Sequence, residues 1–278
     1  MDYRILVDSC TDLTDELRED EHIKVIPLTL RIGERVFVDN ENFNQREFLK
    51  AMKASPNSPK SSCPSPDDYM KEFDYEGDIY IVTLSSALSG SNNSAELAKK
   101  LYLEDHPDKN IAIFDSRSAS VGQTLITMKI KEYINEGHKF HDIVSKVNNF
   151  RSGMNTKFVL ESLDNLLKSG RLGHIKAIIA NVLNIKPIMA GTSEGTIAKL
   201  EQARGINRAL VAMANIIEKD VIKPKERIFA IAHCNCFERA VFVKDEIIKR
   251  IPFKDFLIVD TAGVSSMYAN EGGIIVAY

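Results

Sequence analysis

The chain has 278 residues, with 36 Lys and Arg against 39 Asp and Glu for a net charge of -3, and 44% of its residues are hydrophobic. That balance excludes a disordered or fibrous chain, and without a basic block to neutralise a phosphate backbone, nucleic acid is not an expected partner. No apolar run approaches the roughly 18 to 20 residues that a bilayer crossing requires, since the most apolar central stretch is short and holds Asn181 and Asn184.

At about 150 residues per domain the length predicts two domains. Met1 leads straight into strand-like residues, with no apolar leader or small-residue cleavage pattern, which predicts a cytoplasmic protein. The four cysteines, Cys10, Cys63, Cys234 and Cys236, are too sparse for a disulfide scaffold.

Three units in the first half repeat one pattern of apolar run, hydroxyl-rich loop and helical period. Residues 4–7 enter Asp8-Ser9-Cys10-Thr11-Asp12 and a helical 13–19. Next comes an extended segment, 54–66, holding four of the nine prolines; it ends on Ser65-Pro66-Asp67-Asp68, which reads as a helix cap with Pro at the first helical position. Residues 78–84 then enter Ser85-Ser86-Ala87-Leu88-Ser89-Gly90-Ser91 and a helix over 93–101. Residues 111–114 enter Asp115-Ser116-Arg117-Ser118 and a helix over 121–135. Wholly apolar strands alternating with helices predict a parallel sheet covered on both faces. Right-handed crossovers place all three loops at the carboxyl edge, where open α/β sheets bind ligands.

A second pattern begins near Lys157: a strand at 158–160, helices over 163–172 and 175–183, and a hairpin from 186–191 through Thr192-Ser193-Glu194-Gly195 into 196–200. A helix over 206–219, a strand at 228–232, a helix over 240–251 and strands at 257–260 and 273–277 complete a mixed layer. The predicted fold class is α/β, with a parallel three-layer sheet in domain 1–152 and a mixed α/β sheet in domain 153–278.

Hydroxyl loops feeding helix N-termini present N–H and O–H donors together, which suits a carboxylate or phosphate. Read singly, Ser61, Ser85, Ser89 and Ser91 serve equally as caps and turn residues.

Six segments in order carry a resemblance: Val7-Asp8-Ser9-Cys10-Thr11-Asp12-Leu13, Lys60-Ser61-Ser62-Cys63-Pro64-Ser65-Pro66, Leu84-Ser85-Ser86-Ala87-Leu88-Ser89-Gly90, Phe114-Asp115-Ser116, Lys168-Ser169-Gly170-Arg171-Leu172 and Ile185-Lys186-Pro187-Ile188. Over nearly the whole chain they resemble the motifs of the DegV family of bacterial fatty-acid-binding proteins. The resemblance implies two domains holding one long-chain fatty acid between them. It also implies a non-catalytic carrier that takes its cargo from a membrane surface and presents the carboxylate to a separate ATP-dependent fatty acid kinase. No metal, cofactor or catalytic residue is implied.

Carried over residue by residue, the first hydroxyl of the family's Thr-Ser-Gln-Pro-Ser loop falls on Ser61, followed by Ser62. The serine of its Leu-Ser-Gly turn falls on Ser89, with Gly90 and Ser91 completing the turn, and Ser116 closes the third loop. Arg171 and Arg204 match arginines near the head group or the kinase contact. Two departures stand out: Cys63 replaces a glutamine, and the stretch from Ser265 to Gly273 lacks the family's histidine, leaving Ser266 and Tyr268 as donors in its place. Apolar residues over 177–183 and 210–214 are candidates for the tail lining, although helical apolar spacing equally marks ordinary core.

Rival readings are a serine-dependent hydrolase, a metal site on His233, Cys234 and Cys236 joined by Cys10 or Cys63, and another small-acid or phosphate binder. The chain's Gly-x-Ser-x-Gly string, Gly191-Thr192-Ser193-Glu194-Gly195, falls in the predicted hairpin turn and not at a strand-to-helix elbow, and the chain has no paired Cys-x-x-Cys spacing and neither glycine-rich phosphate loop.

Overall fold

Parallel strands lying between two helical layers must be apolar on both faces, and the first-half strands meet that condition. The computed structural model describes residues 2–173 and 184–278. Its N-terminal part runs β1 (Tyr3–Asp8), α1 (Asp15–Glu19), β2 (Ile23–Ile26), β3 (Thr29–Ile32), β4 (Arg35–Val38), α2 (Gln45–Ala54), β5 (Lys60–Ser62), α3 (Pro66–Met70), β6 (Asp78–Thr83), α4 (Ser91–Asp105), β7 (Ile111–Asp115), α5 (Val121–Asn135) and α6 (Phe140–Ser152). A parallel sheet has the order β2-β1-β6-β7, with Val7 beside Val25 on one side and Val82 on the other.

Alternation along these strands sends Ile5, Val7, Tyr80, Val82 and Phe114 toward Ile126 and Ile130 of α5 and Ile143 and Val147 of α6. Leu6, Ile79, Ile81 and Ile111 face the other way, onto Tyr69, Phe73, Ala95 and Ala98. The start of α3 follows its sequence: Ser65 Oγ accepts from Asp68 N at 3.3 Å and Asp68 Oδ2 accepts from Ser65 N at 2.9 Å, a reciprocal cap before Pro66.

The C-terminal part runs β8 (Thr156–Val159), α7 (Asp164–Lys168), β9 (Ile185–Gly191), β10 (Ile197–Arg204), α8 (Ile206–Asp220), β11 (Ile228–His233), α9 (Phe237–Ile248), β12 (Asp255–Asp260), α10 (Gly263–Ala269) and β13 (Ile274–Ala277). Its mixed sheet has the order β10-β9-β8-β13-β11-β12, with only β11 and β12 parallel. The α/β class with a parallel and then a mixed sheet is as the sequence predicts. The 163–172 helix is shorter than expected, since only Asp164–Lys168 is helical, and the 175–183 helix lies outside the described residues.

Here too alternation sorts the strands. Val159, Ile188, Ile274 and Val276 face Leu210, Met213, Ala214 and Ile217 of α8 in one filled core. Lys157 lies on that face as well, buried, with Nζ 2.6 Å from Asp220 Oδ2 and donating to the Tyr278 hydroxyl. Phe158, Leu160, Met189 and Ile275 point to the opposite face. Residues 210–214, expected to line a tail pocket, therefore pack on the wrong side of the sheet for it: α8 covers the outer face and the strands intervene.

Helix α5 belongs to both halves. Ile126 and Ile130 pack on the parallel sheet, while Val121 and Leu125 pack on Ala230, Ala232, Val259 and Ala277. The small sheet β4-β3-β5 was not expected from sequence, because β5 sits in the proline-rich segment and its pairing of Leu30 with Ser61 is a long-range contact. Among the described residues no helix is long and apolar enough to cross a membrane.

Candidate functional site

Between the two sheets lies an apolar cavity. Its walls come from both halves: Leu28, Leu84 and Leu88 from the first, and Phe158, Leu160, Ile197 and Ile275 from the inner face of the mixed sheet. The surface of the lining is mostly apolar, and two of its hydroxyls meet: Ser61 Oγ on β5 lies 3.3 Å from the Tyr268 hydroxyl on α10. Ser89 lines the same cavity and accepts from Ser91 N at 3.2 Å. Arg171 also reaches it, with Nε donating to Leu88 O at 3.2 Å and Nη1 to Ser169 O at 3.0 Å, so it braces the Ser89 turn.

Polar links set the spacing between the halves. Asp12 accepts from Ala262 N at 2.6 Å and from the Ser120 hydroxyl. Asp39 accepts from Gly263 N at 2.7 Å and Val264 N at 2.9 Å. A Cβ at position 263 would stand 2.6 Å from Asp39 Oδ1, so only glycine admits the carboxylate this closely. At the hairpin tip, Ser85 Oγ donates to Gly195 O at 2.7 Å, and Gly195 takes a φ of +79° that favours glycine. Burial outweighs these hydrogen bonds and pushes the Asp12 carboxyl up to about 7 and Asp39 up to about 6; burial also raises Asp8. Asp8 accepts from Leu84 N and Ser91 Oγ, each at 2.6 Å, and from Gln123 Nε2 at 2.9 Å.

The model of the DegV family matches residues 2–278. The chain belongs to the DegV family. A DegV domain-containing protein of Streptococcus gordonii is 36% identical over 280 residues, covering 100% of this chain and 99% of that protein. A DegV family structure from Ruminococcus gnavus, refined with vaccenic acid, superposes with a TM-score of 0.97 at 45% identity, covering 99% of each chain. The Streptococcus pneumoniae Fatty Acid Kinase (Fak) B3 protein, loaded with linoleic acid, superposes with a TM-score of 0.92 at 32% identity, covering 100% of this chain and 99% of that one.

Of the residues singled out in this DegV sequence, the fold brings Ser61, Ser89, Arg171 and Tyr268 to the cavity and leaves six off its lining. Ser62 is exposed, because β5 alternates and Ser61 takes the inner side. Gly90 is exposed at the start of α4. Ser91 is buried between Asp8 and the Tyr69 hydroxyl, 2.8 Å away. Ser116 is buried and donates to Ser118 O at 3.0 Å. Arg204 ends β10 in solvent. Ser266 turns away from the cavity to Thr261 Oγ1 at 2.8 Å, whereas Val264, Ser265 and Tyr268 share the helical face that lines it.

Sequence reasoning missed Arg117, Ser118, Thr156, Gly195 and Ser265 on the lining. The period of Thr156, Phe158 and Leu160 was the available signal for the β8 wall.

The rival sites take other forms. His233 Nδ1 accepts from Cys236 N at 3.3 Å and lies 3.4 Å from Asp260 Oδ1; burial lowers its pKa. Burial pushes the Cys234 thiol up to about 11, so it stays protonated. Cys10 sits by Ser265 and Cys63 by Ser94, and among the described residues no three potential metal ligands cluster. Among the described residues no histidine lines the cavity to serve a nucleophilic serine.

Proposed function

We propose that this DegV protein binds one long-chain fatty acid in the cavity between its two sheets, with domains 1–152 and 153–278 enclosing it. The carboxylate rests on the hydroxyls of Ser61, Tyr268 and Ser89. The observation that carries this reading is an apolar cavity whose lining brings two hydroxyls from distant parts of the chain to 3.3 Å of each other. Fatty acids bound in similar DegV structures support it.

The energetics suit a carrier. A sixteen-carbon acid has about fourteen methylenes, and at about 0.8 kcal/mol each their burial supplies on the order of 11 kcal/mol gross. The tail therefore dominates affinity. Neutral O–H donors offset the several kcal/mol of carboxylate desolvation without locking the group in an ion pair, so it stays reachable for transfer. Tyr268 supplies the donor for which the family motif uses histidine. In this reading the protein is a cytoplasmic, non-catalytic carrier that meets a membrane surface transiently and presents its cargo to a separate fatty acid kinase, which forms the acyl phosphate.

Titration with palmitate tests the site. Wild type is expected to bind one equivalent, and the Ser61→Ala/Ser89→Ala double variant to bind at least tenfold more weakly. Equal affinity in the two proteins would remove the hydroxyls from the head-group role. Adding a fatty acid kinase with ATP and trapping acyl phosphate with hydroxylamine tests presentation; product from free palmitate at the same rate without this protein would contradict it.

A further inference from the structure

A second recess adjoins the cavity, and Arg117, Ser118, Thr156 and Gly191 line both. Its remaining wall includes Arg151, Ser152, Asn155 and Thr192. Two guanidinium groups thus face one polar space, and neither forms an ion pair with a carboxylate among the described residues.

The nearest carboxylate is committed elsewhere. Asp115 Oδ1 accepts from Ser86 N at 3.1 Å and from Arg117 N at 3.0 Å, and Oδ2 accepts from the Ser86 hydroxyl. Arg151 reaches only the main-chain oxygen of Asp115, at 3.0 Å through Nη1, and its buried Nε has no hydrogen-bond partner among the described residues. Arg117 donates through Nη1 to Ser193 O at 3.1 Å. Glu194 beside it is fully exposed and turned to the Ser193 hydroxyl at 2.6 Å. Most of the guanidinium donors are left without acceptors. Burial, and then the charge of Arg117, hold Arg151 below the usual guanidinium range, with Asp115 opposing the shift only in part.

We propose that this recess is an oxyanion site that takes a phosphate group. Two planar donor forks match the oxygens of a phosphate, and its double negative charge balances both cations. The shared wall allows that phosphate to arrive free or at the end of an alkyl chain lying in the cavity. The inference goes beyond the carrier reading and does not depend on it.

Calorimetric titration at low ionic strength, with inorganic phosphate and separately with hexadecyl phosphate, tests it. Inorganic phosphate is expected to bind once per chain, at least tenfold more weakly in R117Q and in R151Q, with palmitate uptake retained by R151Q as its control for folding. If only hexadecyl phosphate binds and both variants weaken it, the site holds and its phosphate comes on the cargo. If R151Q does not fold, R117Q decides, because that side chain is exposed. Phosphate affinity unchanged in R117Q, or no binding of either probe to wild type, overturns the proposal. Failure of wild type to take up palmitate while phosphate still binds would count against the carrier reading alone.

Discussion

One face of the six-stranded sheet is a filled core and the other is the wall of a cavity, although the same strands supply both. On the outer face Val159, Ile188, Ile274 and Val276 meet Leu210, Met213 and Ile217 in direct apolar contact, and the buried Lys157–Asp220 pair ties the end of α8 to the sheet. On the inner face Phe158, Leu160, Ile197 and Ile275 line the cavity, and among the described residues only Leu49 and Met52 of α2 join their apolar cluster from the first half of the chain. Hydrogen bonds at the rim set the distance there: Asp12 and Asp39 to residues 262–264, and Ser85 to Gly195. The difference teaches that apolar strands make a core where their partner can close in and a site where polar struts hold it away.

The largest effect expected from this contrast is on the filled face. Leu210→Ala should cost about 4 kcal/mol of stability in urea denaturation, because a fully packed site collapses little around a lost side chain. The struts come next, through pH. Asp12 keeps its proton to about pH 7 in the folded protein, against an ordinary value of 3.8. Between those values the folded state binds more protons, so Asp12 stabilises the fold fully at low pH and loses that contribution as pH rises from about 4 to 7. The isosteric Asp12→Asn lacks this slope; the stability difference between wild type and variant should shift by on the order of 4 kcal/mol across that range and stay level above it. A flat difference would sink the account of the buried carboxylate.

On the cavity face Leu160→Ala should cost only about 2 kcal/mol, since the side chain already borders open space, and should enlarge the acyl site. Equal costs at Leu160 and Leu210 would erase the contrast. Tyr268→Phe should leave stability nearly unchanged while weakening palmitate by about tenfold, the loss of one hydrogen bond to a charged group. Smallest is the exposed ion pair of Arg35 and Glu47, 2.6 Å apart on the surface. Glu47→Gln should change stability by less than about 0.5 kcal/mol, and less still in high salt.

Much of the fold was legible in the sequence because it is local. Apolar run, hydroxyl loop and helix recur in the first half, and the Thr192-Ser193-Glu194-Gly195 turn marks its hairpin through a glycine with positive φ. The β3–β5 sheet was not legible, since its strands are four residues or fewer and their pairing is set by contacts far along the chain. The same distinction runs through the site. Motif position brought out Ser61 and Ser89, but it also brought out Ser62, Gly90 and Ser91, which strand alternation and helix geometry turn elsewhere. Amphipathic spacing marked 210–214 as buried without saying which side of the sheet they cover. Arg117 gave no signal, because only the approach of the hairpin to the third loop makes it part of a wall.

Native mass spectrometry of the protein purified from a bacterial host, compared with its denatured mass and followed by lipid extraction, tests the central claim most directly. The account predicts one fatty acid per chain in the native species, released on denaturation. Occupancy should fall in the Ser61→Ala/Ser89→Ala double variant. A native mass equal to the bare chain, with no uptake of added palmitate or oleate, would contradict it.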